Sequence, residues 1–278
     1  MTIRNVQSVL QGRPTSDGAG VKLVRIFDPR HAQALDPFLL FDEFRSETAS
    51  DYVAGFPPHP HRGFETVTYM IDGRMKHKDN HGNEGDLGPG GVQWMCAARG
   101  IVHEERPQQD RGLLWGYQLW INLPAAQKLG APWYDDIEAP RIPSVALPTG
   151  GRVRVIAGGF GEVRGPVRPR PAEPMYLDVD LPANARCEIA VPDGHTALVH
   201  GVTGTVQIGA AAAVLQARQC AVLSRDGAAV LTTGSAPGRA LVLAGKPFGE
   251  PIVHHGPFVM NTHAELRQAF DDFQNGRF

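Results

Sequence analysis

Two stretches of the sequence each carry a pair of side chains that can bind a metal ion, with one residue between the members of the pair. His59 and His61 form the first pair, and His103 and Glu105 form the second. In a β-strand, alternate side chains project from the same face, so each pair would point in one direction. If the two strands are neighbours inside a barrel, three imidazoles and one carboxylate converge. That set suits a divalent metal ion with coordination positions left open.

These residues also allow a second interpretation, in which they do no chemistry. A His-x-His pair is a weak signal on its own, and two exposed strand segments could direct the same side chains into water. The second pair strengthens the metal interpretation because it obeys the same period. The proline, glycine and arginine in Pro57–Gly63 are also unlike an ordinary packed core. From the residues alone, both interpretations stay open.

The elements that position these pairs are predicted to be β-strands. Glycine (32 residues) and proline (23 residues) are spread through the 278-residue chain, which indicates many turns between short strands. Alternating or strand-forming residues predict strands at 3–10, 21–27, 63–73, 92–97 and 114–123. Asp42 and Glu43 follow an apolar stretch, and we expect them in a solvated turn.

Residues 263–274 are predicted to form the clearest helix of the chain. Thr262 and Glu265 match a capping box, in which each side chain accepts a hydrogen bond from the backbone of the other. The apolar residues that follow repeat at helical spacing: Leu266, Ala269, Phe270 and Phe273. We therefore expect a short amphipathic helix here.

The composition limits the classes of protein to which this chain can belong. The net charge is −2 with the two signs mixed, so no basic stripe recommends nucleic acid as a direct ligand. Cys96, Cys187 and Cys220 are odd in number and widely spaced, which favours reduced thiols over disulfides. No segment approaches the roughly 20 apolar residues that span a bilayer, and no signal peptide is evident. These features predict a cytoplasmic protein that does not bind membranes.

The two halves of the chain share a weak internal repeat. Gly100–Glu105 resembles Gly227–Thr232, which places Val230 and Thr232 where the first half has its His-x-Glu pair. Nothing like the His-x-His pair precedes the second copy. The repeat therefore predicts a duplicated β-barrel in which the second copy has lost its ligands.

A proline-rich connector, residues 124–148, marks the predicted boundary between the halves. We expect an N-terminal barrel with the metal site at residues 1–135. A C-terminal barrel without metal, ending in the helix, is expected at residues 136–278. His195 and His200 are left as isolated histidines, which we expect in turns or at the surface.

Taken together, the motifs resemble those of the pirins, a family of two-domain cupins. The segments that carry the resemblance are Phe41–Phe44, His59–Tyr69, Gln93–Met95, Gly100–His103 and His254–Thr262. The similarity runs from about residue 3 to the last residue. It implies an all-β bicupin, with two jelly-roll β-barrels in tandem, a short C-terminal helix, and metal in the N-terminal barrel only.

Carried over by position, the resemblance implies His59, His61, His103 and Glu105 as ligands of one divalent metal ion per chain. Iron is the usual metal of the family, and Ni, Co, Cu, Mn or Zn would suit the same donors. Many cupins outside the pirins take their carboxylate from a glutamate shortly after the His-x-His pair, which here is Glu65. We take Glu105 as the ligand and Glu65 as a residue that orients a ligand from behind.

The resemblance also implies an activity of the quercetin 2,3-dioxygenase type, in which dioxygen opens the ring of a flavonol and carbon monoxide is released. The substrate would be a flavonol-like or enediol-like small molecule, and Glu105 would be the catalytic base. Five residues are candidates for an apolar wall around an aromatic substrate: Phe41, Phe56, Phe64, Trp94 and Met95.

The family implies an alternative without catalysis. Some pirins are regulatory proteins that bind a transcription factor or a metabolic enzyme, and here the metal would sense redox state. An exposed basic patch near the metal, for instance from Arg25, Arg45 and Arg62, would support this function. We expect a monomer in either case.

Overall fold

The computed structural model describes residues 2–278, and the chain in it is built almost entirely of antiparallel β-strands. It divides into two compact units. The first unit comprises Arg13–Ala139 and Phe248–Phe278, and the second comprises the segment up to Gly12 and Pro140–Pro247. The predicted all-β class with two cupin domains is confirmed.

The strands, numbered in chain order, have the following bounds: β1 Val6–Gln11, β2 Arg13–Asp17, β3 Val21–Phe27, β4 Phe38–Ser46, β5 Phe56–His61, β6 Phe64–Asp72, β7 Met75–Asp79, β8 Glu84–Leu87, β9 Val92–Cys96, β10 Ile101–Pro107, β11 Leu114–Asn122, β12 Trp133–Ile137, β13 Ser144–Ala146, β14 Arg152–Ala157, β15 Gly159–Phe160, β16 Val163–Arg164, β17 Met175–Leu181, β18 Arg186–Ile189, β19 Thr196–Ile208, β20 Ala213–Gln216, β21 Gln219–Leu223, β22 Ala229–Thr232, β23 Gly238–Gly245, β24 Val253–His255 and β25 Phe258–Met260. The α-helices are α1 Ala32–Leu35 and α2 His263–Gln274. Single 3₁₀ turns lie at Pro29–His31, Ala49–Asp51, Ala125–Gln127 and Ala139–Arg141.

The first unit contains two antiparallel sheets. A seven-stranded sheet has the order β12-β9-β6-β11-β4-β3-β2, and a four-stranded sheet has the order β5-β10-β7-β8. Side chains alternate between buried and partly exposed along β10, where Ile101, His103 and Glu105 are buried. Thr68 on β6 donates to Glu105 on β10, so the two sheets face each other across the interior of the unit.

The predicted helix is confirmed as α2, with the bounds 263–274. Its capping box is complete, because Glu265 N donates to Thr262 Oγ1 at 3.2 Å and Thr262 N donates to Glu265 Oε2 at 2.8 Å. Leu266 and Ala269 pack against Phe258 and Met260 of β25. The helix is therefore part of the first unit, although the sequence boundary at residue 136 assigned it to the C-terminal barrel.

The second unit carries a sheet of the order β1-β21-β19-β23-β17-β14-β13, to which β18, β20 and β22 attach. Aliphatic side chains fill its core, among them Val155, Leu177, Val199, Leu231 and Val242. Such β-branched and aliphatic residues suit strands that are buried on one face.

The N-terminal segment belongs to this second unit, which also differs from the predicted boundaries. β1 pairs with β21, and the guanidinium of Arg4 is fully buried. Arg4 donates to four backbone carbonyls, those of Pro192, His195, Ser224 and Gly227, at 2.6–3.0 Å. A buried cation needs such partners, and only the second unit provides them.

The strand β22 bears on the register of the internal repeat. Ala229 and Leu231 point into the core of the second unit, whereas Val230 and Thr232 alternate with them. The interior positions of β22 therefore carry an alanine and a leucine. Val230 and Thr232, which the alignment placed at the His-x-Glu positions, have the other parity, and a short apolar strand does not reveal from the sequence which parity faces inward.

His195 and His200 are both buried. His195 ends a turn, in which its backbone N–H donates to the carbonyl of Pro192, whereas His200 lies within β19, so the predicted placement in a turn or at the surface was wrong for His200. His200 lies in β19, opposite Cys220 and Leu241, and burial lowers its pKa to about 3. The three cysteines are free and buried. Among the described residues, no helix is long and apolar enough to cross a membrane.

Candidate metal centre

The imidazoles of His59, His61 and His103 come together in the first unit. Each offers one ligand nitrogen, and these atoms all lie within 4.8 Å of one another. His59 and His61 share a face of β5, and the antiparallel pairing of β5 with β10 sets His103 opposite His59. The ring centroids are 4.4 Å apart for His59 and His103 and 5.0 Å apart for His61 and His103. The alternation of the two pairs thus produces the cluster, as the sequence predicts.

The state of these imidazoles fits a metal ion. Neither ring nitrogen of His61 or of His103 has a hydrogen-bond partner, although both residues are buried. Burial lowers the pKa of both histidines well below the usual value, so they are neutral and keep a lone pair for coordination. Unsatisfied buried polar atoms are costly, and a metal ion would satisfy them.

His59 is the more accessible member of the cluster. Its Nδ1 lies 2.8 Å from the carbonyl oxygen of Pro57. Because a carbonyl only accepts hydrogen bonds, Nδ1 carries the proton and Nε2 is left with the lone pair. This is the arrangement in which a ligand histidine is oriented by its other nitrogen.

Glu105 lies beside the cluster, outside the group of atoms within 4.8 Å of one another. Gln118 Nε2 donates to both carboxylate oxygens, at 3.0 and 3.1 Å, and Thr68 Oγ1 donates to Oε1 at 3.3 Å. His77 Nδ1 is 3.4 Å from Oε1. Glu105, Thr68 and His77 are buried, and Gln118 is half-buried. Hydrogen bonds from two side chains, Gln118 and Thr68, therefore fix the carboxylate next to the histidines.

Glu65 points away from the histidines, although an even spacing from His61 would place both side chains on the same face of one continuous strand. Phe64 and Thr68 on β6 contact His61 and Glu105, so the even-numbered side chains of β6 face the cluster. Glu65 projects from the opposite face, where its Oε2 accepts a hydrogen bond from the indole of Trp94 at 2.9 Å.

The chain turns between His61 and Glu65, which explains the difference. Gly63 has φ +90°, and it joins β5 to β6, which lie in different sheets. Strand parity does not carry through such a turn. The structure thus gives no support to Glu65 as a carboxylate ligand or as a residue that orients one.

The aromatic surroundings of the cluster differ in part from the predicted wall. The ring centroids of Phe64 and Trp120 each lie 5.1 Å from that of His61, and these two rings are neighbours, 4.4 Å apart. The remaining candidates pack elsewhere: Phe41 against Phe27 and Tyr117, Phe56 in the cluster of Tyr52 and Met70, Trp94 against Glu65, and Met95 against Ala97 and Ile101.

Sequence reasoning missed Gln118 and Trp120, the two residues of β11 that face the cluster. The strand was predicted, but neither residue was named as a candidate. A glutamine in so apolar a strand was the available signal, since a buried amide needs a polar partner. Glu105 is that partner.

The proposed basic patch does not form. Arg62 is buried, and it donates to the carbonyl of Arg99 and, at 2.7 Å, to Asp272 of α2. Arg25 forms a two-point ion pair with Asp42, and Arg45 lies over the indole of Trp115.

Asp42 and Glu43 are buried on β4, so the predicted solvated turn was wrong as well. Burial raises the pKa of Asp42 to about 6 against the opposing effect of Arg25. Glu43 accepts hydrogen bonds from Trp115 and Tyr117. Polar partners on neighbouring strands thus keep both carboxylates inside the fold.

Two β-rich units, with a three-histidine cluster in the interior of one of them, define a bicupin with one candidate metal centre. The family model for pirin matches residues 20–121, and the model for the pirin C-terminal cupin domain matches residues 176–278. The chain belongs to the pirin family.

Relatives extend the match over the whole chain. A pirin-like protein of Caulobacter vibrioides is 49% identical over 279 residues, which is 100% of both chains. The pirin of Mus musculus is 40% identical over 272 residues, covering 95% of this chain and 90% of that protein. A solved structure of quercetin 2,3-dioxygenase from Acinetobacter baumannii matches with a TM-score of 0.92 and 36% identity, covering 100% of this chain and 99% of that one.

Proposed function

We propose that this protein is a metal-dependent dioxygenase of the quercetin 2,3-dioxygenase type, acting on a flavonol-like or enediol-like small molecule. The observation that carries the proposal is the cluster of three histidines, of which His61 and His103 are neutral, buried and without hydrogen-bond partners, next to a buried carboxylate. The similarity to the quercetin 2,3-dioxygenase of Acinetobacter baumannii supports it along the entire chain.

His59, His61 and His103 would hold one divalent metal ion per chain, and Glu105 would complete the set of protein ligands. We propose Fe(II) as the native metal, since imidazole and carboxylate donors with open positions suit it, and Ni, Co, Cu, Mn or Zn would fit the same donors. When bound, the metal supplies Lewis-acid stabilisation of a substrate oxygen and a centre for the chemistry of dioxygen.

Glu105 is proposed as the catalytic base. Its carboxylate would accept the proton of the 3-hydroxyl group of a flavonol, and Gln118 and Thr68 hold it for that task. Burial lowers the pKa of His77, so the neighbour whose Nδ1 lies 3.4 Å from the same carboxylate is a neutral imidazole. The base is therefore oriented by the hydrogen bonds of Gln118 and Thr68.

Phe64 and Trp120 would bind the aromatic body of the substrate. Their ring centroids lie 4.4 Å apart, and both face the ring of His61. An aromatic substrate beside them would bury apolar surface and exclude water from the reacting atoms. A flavonol has both the flat ring system and the enolic hydroxyl that such a site accommodates.

The test is aerobic turnover of a flavonol, followed as loss of substrate absorbance together with release of carbon monoxide. Metal-loaded protein should give both signals, and protein stripped by a chelator should give neither. Metal binding without turnover would favour the alternative, a non-enzymatic metal- or redox-sensing protein that binds a transcription factor or a metabolic enzyme.

Metal content provides the matching structural test. His61→Ala and His103→Ala should each lose most of the bound metal while the protein stays folded, because the sheets do not depend on the ion. His81→Ala changes an exposed histidine of the same unit and should keep full occupancy. Full occupancy in both cluster variants would refute the ligand assignment.

A further inference from the structure

The second unit contains a cavity of about 850 Å³ that is lined by its own residues alone. It lies between the β15–β16 hairpin and the ends of β14, β17 and β18. Its volume falls within the range of sites that bind small molecules, about 300–1,000 Å³. The cavity borders the core of this unit, with which it shares Met175.

A glycine-rich hairpin forms one wall of the cavity. Gly158 has φ +73°, and a Cβ at Gly165 would stand 2.5 Å from the carbonyl oxygen of Ile156, so glycine permits the close approach of the hairpin to β14. Gly165 N donates to the Gly158 carbonyl at 3.0 Å. Phe160 and Val163 pack against the core of the second unit. The wall is therefore a packed element of the fold.

The lining of the cavity contains five charged side chains. Arg164, Arg168 and Arg170 line the cavity together with Glu173 and Glu188. Both acids pair with cations outside the lining, because Glu188 binds Arg186 at 2.6 Å and Glu173 binds Lys246 at 3.0 Å.

The hydrogen-bond partners of Arg164 are of a different kind. Its Nη1 donates to the backbone carbonyls of Gly161 and Val163, at 2.8 and 3.3 Å, and not to a carboxylate. Its positive charge is therefore not neutralised at the mouth of the cavity. A guanidinium in this position is suited to bind a carboxylate or a sulfonate.

The rest of the lining is mostly apolar, with Phe160, Val167 and Met175 as its larger side chains. We propose that this cavity is a second ligand site, which binds an organic acid. The anionic group would lie against Arg164, and the aromatic or aliphatic body would lie against Phe160 and Met175. The proposal is independent of the metal centre and of the dioxygenase activity.

A matched pair of probes tests the proposal in the full-length, metal-loaded protein. Anilinonaphthalene sulfonate has the charge and the aromatic body that the cavity should recognise, and phenylnaphthylamine has the same body without the charge. Isothermal titration calorimetry should show one sulfonate bound per chain, about tenfold or more tighter than the uncharged analogue, as expected for a charge-assisted hydrogen bond.

Two variants locate the bound probe. Arg164→Gln should weaken the sulfonate about tenfold, whereas Arg152→Gln, the same change at an exposed arginine of β14 that pairs with Asp180, should not. Ala190→Trp places a large ring at an exposed lining position and should abolish binding without unfolding the unit. Circular dichroism and melting temperature establish that each variant is folded.

Four results would overturn the proposal. The two probes could bind equally, Arg164→Gln and Arg152→Gln could weaken binding to the same extent, or Ala190→Trp could bind the sulfonate as the wild type does. Loss of binding in His103→Ala would place the probe at the metal centre instead.

Discussion

Gln118 fixes Glu105 in one orientation because its own amide orientation is determined. The indole N–H of Trp120 donates to Gln118 Oε1 at 3.3 Å, so the amide oxygen is the acceptor on that side. The amide NH₂ group must then face Glu105, to which it donates twice. Trp120 therefore has two roles. It orients the candidate base through Gln118, and it forms part of the aromatic surface beside His61.

This geometry separates the two glutamates that the sequence left as alternatives. Glu105→Gln replaces a proposed ligand and base, so it should lower metal affinity by more than the 10–100-fold typical of residues that only orient a ligand, and it should abolish flavonol turnover. Glu65→Gln should change metal affinity less than tenfold, because Glu65 contacts Trp94 on the opposite face. Metal titration by calorimetry and the turnover assay measure both effects.

The reverse ranking of the two variants would transfer the ligand role to Glu65. Glu65→Gln should lower the stability of the protein and leave metal affinity nearly unchanged. The reason is that the buried indole N–H of Trp94 would then donate to a neutral amide, which is a weaker acceptor than the carboxylate. Thermal unfolding separates this effect from a loss of metal.

At the scale of residues, spacing predicted the three imidazoles because two-residue alternation is a local property of a strand. Glu65 could not be placed in the same way, since Gly63 turns the chain into another sheet. Gln118 and Thr68 contact Glu105 from the facing sheet. Such contacts depend on how the sheets pack, which no local pattern in the sequence specifies.

At the scale of elements, the turn between β5 and β6 is held in place by β25 and α2, near the C-terminal end of the first unit. The buried ammonium of Lys128 donates to the carbonyls of Gly63 and Val259 and to Asn122 Oδ1, at 2.6–3.0 Å. A Cβ at Gly63 would collide with the carbonyl oxygen of Val259. The backbone directly after His61 is thus locked to β25.

Arg62 provides the second attachment of the same turn. Its guanidinium pairs with Asp272 of α2 and lies 4.3 Å from the ring of Phe278. Arg62 also donates to the carbonyl of Arg99, two residues before β10 begins. The helix therefore positions both strands that carry the histidines, although it contributes no ligand.

Asp272→Asn should reveal this role. Loss of the charge leaves the buried guanidinium of Arg62 poorly paired, which should lower the free energy of unfolding by about 1–3 kcal/mol. Metal affinity should fall by about tenfold, as for other residues that orient a ligand. Asp271→Asn is the control, since Asp271 and Asp272 both pair with the exposed Arg277 but only Asp272 pairs with Arg62.

Equal metal affinity in the two helix variants would contradict the positioning role of α2. The existence and bounds of α2 were predictable because the capping box and the apolar spacing are local. The contact of α2 with Arg62 was not predictable, because an ion pair between residues so far apart in the chain leaves no local signature in the sequence.

At the scale of the whole molecule, the chain exchanges its ends between the two units. The segment up to Gly12 joins the second unit, and Phe248–Phe278 joins the first. The alternation and turn signals predicted the strands and the duplication. They could not predict the exchange, because the pairing of β1 with β21 depends on edges that exist only in the folded sheet.

The buried His200 predicts a pH dependence of the second unit. The unfolded chain binds a proton at this side chain near pH 6.5, but the folded unit does so only near pH 3. The unfolded state therefore binds more protons between these values, and the free energy of unfolding should fall by about 1.4 kcal/mol per pH unit as the pH drops below about 6. Urea unfolding from pH 7 to pH 4.5 measures the slope.

His200→Gln removes the titrating group from the same position. Its unfolding transition for the second unit should depend on pH less steeply than that of the wild type, whatever its stability at pH 7. Parallel pH profiles for the two proteins would show that His200 does not contribute.

The most direct test of the central claim is a metal titration of stripped protein in which flavonol turnover and bound metal are measured on the same sample. The rate of substrate loss and of carbon monoxide release should rise linearly with added Fe(II) and level off at one ion per chain. His103→Ala should bind little metal and show no rise. Full binding of one ion per chain with no turnover, or turnover that continues to rise up to a second tightly bound ion, would contradict the account.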